Sequence, residues 1–86
     1  MEEKEIGVIA HYFSNIGVAI IKLENESLNK GDLIHIKGNT TDFQEEVNSI
    51  QVDHKEIDVA PKKSHAGIKV KDSAREGDKV YKIIEQ

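Results

Sequence analysis

Apolar residues in this chain recur at every second position, and no window of eleven or more residues carries helical spacing. A period of two is the signature of strands with one face buried, so the pattern alone restricts the fold to β-structure. Ile6, Val8, Ala10 and Tyr12 share one face of the segment 5–12, and Ile34 and Ile36 point inward from 32–38. Segment 17–24 is almost continuously apolar up to Lys22, as expected of a strand covered on much of both sides. Segment 45–53 carries Ile50 and Val52 inward with a slip of parity near Val47, the mark of a bulge. Segments 56–60 and 65–71 alternate cleanly, and 78–84 ends the series with Val80 and Tyr81 competing for the inward side.

Turn chemistry separates these segments: Ser14-Asn15, Asn25 to Gly31, Gly38 to Asp42, Pro61 to Ser64 and Asp72 to Gly77. The stretch 72–79 has room for one helical turn at most. Seven short strands at about ten-residue spacing imply an all-β domain. The expected form is a small closed antiparallel β-barrel of six or seven strands, since closure removes the edges that a short chain would otherwise have to protect. With 86 residues there is one core and one domain, 1–86.

One phrase is spelled twice. "SLNKGDLIHI" begins at Ser27 and "SAREGDKVYKI" at Ser73, so that Gly31 matches Gly77 and Asp32 matches Asp78. Each glycine precedes a strand where the chain must turn with φ > 0, and each aspartate can accept from nearby backbone N–H groups. Two equivalent corners of one barrel are expected; chance reuse of Gly-Asp, a common turn pair, is the alternative.

Composition narrows the function. The chain has no cysteine, which removes disulfides and thiolate metal sites and fits a reducing compartment. No apolar run reaches the ~20 residues of a membrane span, and the acidic start "MEEKEIG" is unlike a signal peptide, so a cytoplasmic location is expected. A formal charge of −4 argues against broad affinity for nucleic acid. The acidic run Asp42, Glu45 and Glu46 reads as a solvated loop.

The segment 54–71 departs from this balance. It holds Lys55, Lys62, Lys63, Lys69 and Lys71 against Glu56 and Asp58, a local excess of three positive charges. Lys62, Lys63, His65, Lys69 and Lys71, with His54 nearby, form the candidate binding surface for RNA or a protein partner. Lysines on an edge strand also guard against aggregation, the plainer use of the same pattern. Only Tyr12, Phe13, Phe43 and Tyr81 are available for base stacking. Tyr12 is expected in the core, and Phe13 and Phe43 as caps on the barrel's ends. The histidines at 11, 35, 54 and 65 include no close pair of zinc-ligand type, so no metal or other cofactor is expected and solvated imidazoles are the plainer reading. Ser64-His65 near Asp58 or Asp72 lacks a nucleophile turn, so no enzymatic activity is expected.

The ordered set "IGVAIIKLENESLNKGDLIHIKG" (16–38), "EEVNSIQVDHKEIDVA" (45–60), "SHAGIKVKD" (64–72) and "AREGDKVYKI" (74–83) resembles the second, β-barrel domain of translational GTPases such as elongation factor Tu. The resemblance implies a translation-factor-like module that contacts tRNA or rRNA, or a translation-associated protein. In that family the positions before Gly17, Gln51 to His54 and Ser64 to Gly67 face the aminoacyl end of tRNA. Ile16 stands where the family has a basic residue, and Gln51 where it has an acidic one. There is no phosphate-binding G-x-x-x-x-G-K-[ST] loop, so GTP is not an expected ligand. Similar barrels are also appended to collagenase-like peptidase-family proteins, some acting in tRNA modification. The alternative is therefore a protein-only accessory domain docking on such an enzyme.

Overall fold

The computed structural model describes residues 2–84. Among them there are ten strands and no helix, so the stretch 72–79 forms no helical turn and runs directly into the last strand. The strands are β1 (Glu2–Phe13), β2 (Val18–Leu23), β3 (Leu28–Asn29), β4 (Leu33–Lys37) and β5 (Asp42–Glu46). They continue as β6 (Ile50–Val52), β7 (Lys55–Ile57), β8 (Val59–Ala60), β9 (His65–Lys69) and β10 (Lys79–Ile84). Eight form one antiparallel sheet in the order β5-β4-β10-β1-β2-β9-β6-β7, while β3 and β8 pair as a separate two-stranded ribbon.

The sheet is not closed, which corrects the expected six- or seven-stranded barrel. Its outer strands, β5 and β7, do not pair with each other. The edges are protected in other ways: β5 carries exposed Asp42 and Glu46, and β7 is only three residues long. Loop bonds link the ribbon to both flanks. The Lys30 N–H donates to Asp58 O at 2.8 Å, and the Gly31 N–H to Val47 O at 2.8 Å. Leu28 and Ala60, paired in the ribbon, are both fully buried.

Three readings of the alternation shift accordingly. Asp42, Glu45 and Glu46 lie on an edge strand rather than in a loop. The segment 45–53 breaks at Val47, which leaves the sheet and buries its side chain in the core. The segment 56–60 splits at Asp58, sending β7 and β8 to different sheets. In β1 both Ile6 and Ile9 are buried while Val8 and Ala10 are only half-buried. Two register shifts, against β10 between Glu5 and Gly7 and against β2 between Ile9 and His11, explain this inversion. In β10 Val80 takes the core side and Tyr81 is half-buried.

The two Gly-Asp corners are equivalent in detail. Gly31 has φ 97° and Gly77 φ 89°, as the third residue of a type II turn requires. The Asp32 N–H donates to Asn29 O at 3.0 Å, and the Asp78 N–H to Arg75 O at 3.1 Å. Each aspartate carboxylate accepts from the backbone N–H three residues earlier, Asn29 at 2.8 Å and Arg75 at 2.9 Å. Each corner also clasps one buried residue by two backbone bonds. Gly31 N–H donates to Val47 O and Val47 N–H to Asp32 O; Gly77 N–H donates to Ile9 O and Ile9 N–H to Asp78 O, all at 2.8–2.9 Å. The repeated phrase therefore encodes one device used twice, at the starts of β4 and β10.

Candidate functional site

Because β2 and β9 sit mid-sheet with alternating inward and outward residues, their outward rows form a floor. Ala19, Ile21, Ala66 and Ile68 are buried in the core, which leaves Val18, Ile20 and Lys22 of β2 outward beside Lys69, Gly67 and His65 of β9. The pairs are Val18 with Lys69, Ile20 with Gly67 and Lys22 with His65. On the next strand Gln51 pairs with Gly67, and beyond it Asp53 and His54 form the two-residue turn of the β6–β7 hairpin. A groove of about 240 Å³ lies here, lined by Val18, Ile20, Gln51, Asp53, His54, His65 and Gly67.

Two local features open it. Gly67 has no side chain; a Cβ there would stand 3.2 Å from Ile20 Cδ1 and 3.6 Å from Gln51 O, in the middle of the floor. The hairpin turn holds Asp53 at φ 53° and His54 at φ 65°, a left-handed pair for which Asn-Gly is the usual choice. The chain uses glycine at φ > 0 at three other turns. Here it carries two polar side chains into a groove instead.

The six residues singled out in the sequence separate into two groups. His54 and His65 line the groove, and Lys69 stands at its end on the same outward row as His65. Lys62 and Lys63 belong to the turn before β9, and Lys71 follows β9, where its N–H donates to Glu45 Oε1 at 2.7 Å. Lys69 and Lys71 thus do not share a strand. Val18, Ile20 and Gly67 were not among the candidates, although an outward apolar row on a mid-sheet strand was visible in the continuous run 17–21. Ser64 Oγ donates to Pro61 O at 2.5 Å, so its hydroxyl is not directed at His65.

His35 is not the solvated imidazole expected. Its Nδ1 lies 2.9 Å from Glu3 Oε2 and its Nε2 2.5 Å from Asp42 Oδ1, bridging β1 and β5 across β10. The bond to Asp42 chiefly holds its pKa above the ordinary histidine value, with Glu3 adding to it against partial burial. The same bond holds the Asp42 carboxyl below its ordinary value. No metal-type group of three or more ligands occurs among the described residues. A separate depression of about 300 Å³, lined by Tyr12, Ala74, Arg75 and Glu76, gathers no comparable set. No helix of the described residues is long and apolar enough to cross a membrane.

No family model matches the chain. It is 40% identical over 82 residues to an uncharacterized protease of Methanocaldococcus jannaschii, covering 94% of this chain and 20% of that protein. It is 35% identical over 79 residues to a collagenase of Porphyromonas gingivalis, covering 91% of this chain and 22% of that one. The chain thus spans about a fifth of the length of the curated relatives it matches. Among solved structures, the C-terminal domain of a putative U32 peptidase from Geobacillus thermoleovorans superposes with a TM-score of 0.86. It is 19% identical, with 94% of this chain and 93% of that one covered.

These matches overturn the resemblance to the elongation factor Tu barrel. The relatives are a protease and a collagenase, and the matching fold is a domain of a putative U32 peptidase. The motifs that carried the earlier resemblance are corner and strand patterns. The Gly-Asp corners exist because φ and buried N–H groups demand them, so such motifs follow a sheet geometry rather than a function.

Proposed function

We propose that this chain is a non-enzymatic docking domain of collagenase-like, peptidase-family proteins, binding another protein surface through the outward face of β2, β9 and β6. The observation that carries the reading is the scale of the matches. A unit of one core matches only about a fifth of each curated relative, while it matches nearly the whole of a separately crystallised C-terminal domain. A segment that folds as its own body beside a much larger remainder is suited to hold or present something to that remainder.

The test uses the remainder itself. The Methanocaldococcus jannaschii relative, produced without the 82-residue matching segment, is mixed with this chain and followed by size-exclusion chromatography with light scattering. A one-to-one complex is the expected result, and the chain alone should leave casein and gelatin uncut. Absence of any complex at tens of micromolar, or cleavage by the isolated chain, overturns the reading.

A further inference from the structure

We propose that the groove binds an extended acidic peptide segment of the pattern acid–any–apolar–any–acid, carried by the larger peptidase-family body; this rests on the docking reading above. The middle rung, Ile20 beside Gly67, is apolar and recessed. Lys69 lies one rung to one side of it, opposite Val18, and Lys22 one rung to the other, opposite His65. The two lysine rungs are four residues apart along β2, a span of about 13 Å at strand rise. An extended peptide has the same repeat: residues i, i+2 and i+4 share one face, with i and i+4 about 13 Å apart. An apolar side chain at i+2 then enters the groove while acids at i and i+4 meet Lys69 and Lys22.

Charge complementarity selects acid over base. Among the described residues Lys22 and Lys69 make no ion pair within 4.0 Å, so neither cation beside the groove is neutralised from within the chain. The groove's own acid, Asp53, lies to one side in the hairpin turn, with Glu56 further out on β7, opposite Gln51. A bound segment therefore tracks the β2–β9 seam. The floor is aliphatic, and among the lining residues only the imidazoles of His54 and His65 are rings, with no Phe, Tyr or Trp, which favours a peptide side chain over a stacked base. Unpaired cations at both ends of an apolar slot make a recognition site of defined spacing.

The experiment measures fluorescence anisotropy of fluorescein-labelled Gly-Glu-Ser-Leu-Ser-Glu-Gly against the full chain. Replacing its leucine by alanine is expected to weaken binding about tenfold, as loss of a buried aliphatic side chain does. Gly67→Val, a β-favouring substitution at a position without positive φ, should fill the floor and weaken binding by a similar factor. Its fold is checked by circular dichroism. The pair Lys22→Glu and Lys69→Glu, both at exposed positions, should lose this peptide and gain the version with lysine for glutamate. Equal affinity for the leucine and alanine peptides, an unchanged preference in the charge-reversed variant, or stronger binding of a uridine heptamer overturns the inference. The two readings separate cleanly. A complex with the peptidase body that survives both groove variants leaves docking standing and removes the groove; peptide binding without that complex does the reverse.

Discussion

Gly31 and Gly77 are fixed by backbone angle and not by space, because a Cβ at either would meet nothing within 4 Å. An alanine at φ near 90° carries a left-handed penalty of about 1–2 kcal/mol. Since both corners make the same bonds, Gly31→Ala and Gly77→Ala should lower stability by the same amount in urea titrations. Costs differing by more than about 1 kcal/mol would show that the corners are alike only in outline. His35 gives a prediction of another kind. An imidazole facing a carboxylate at each nitrogen donates to both only when doubly protonated. Its raised pKa stabilises the fold fully below the ordinary histidine value, and that contribution is lost as pH rises through the raised value. At the acid end the lowered Asp42 contribution is lost as pH falls below that group's ordinary range. The urea midpoint should therefore decline as pH rises above the ordinary histidine value and through the raised one, and His35→Gln should flatten that slope. A wild-type slope that the substitution leaves intact would place the titration elsewhere.

The β6–β7 hairpin carries backbone strain at the lip of the groove. Asp53 and His54 occupy left-handed angles that Asn-Gly meets with less strain. The double substitution Asp53→Asn with His54→Gly should raise stability by about 0.5–1 kcal/mol and, by removing the Asp53 negative charge from the groove lining, tighten capture of the acidic peptide. A stabilised variant that binds as before would mean the two side chains serve only the turn. This element also shows what the sequence could disclose. Ile34 and Ile36 alternate with no irregularity, and their strand was legible directly. The burial of Ile9 in place of Val8 was not, because each register shift of β1 arises against a partner strand that no local pattern reveals. His35 was illegible for the same reason, since its partner Glu3 is 32 residues away. His54 and His65 were legible as candidates. Their meeting in one groove depends on β6 lying beside β9, a contact between segments whose order in the sheet the alternation does not state.

At the scale of the whole molecule, the first and last described strands meet in the middle of the sheet. β1 pairs with β10 from Glu2 opposite Ile84 to Val8 opposite Lys79, and β10 pairs in turn with β4. The central ladder thus joins residues at opposite ends of the chain, and loop-closure entropy must be met before that ladder forms. Folding should be slow for the size, on the order of milliseconds to seconds, as in other sheets built from distant pairings. It should also be all-or-none. Truncation after Asp78 takes the buried side chains of Val80 and Ile83 from the core and separates the β5–β4 pair from the remaining strands. Neither fragment of the sheet then has a face covered well enough to persist. The chain ending at Asp78 is accordingly expected to lose amide dispersion in its proton–nitrogen NMR spectrum entirely. In the intact chain, far-ultraviolet dichroism and the fluorescence of Tyr12 and Tyr81 should report one coincident urea transition. A dispersed spectrum from the shortened chain would mean that the β1–β2–β9 half, groove included, stands without its central neighbour, and the sheet would then be two units joined at β10.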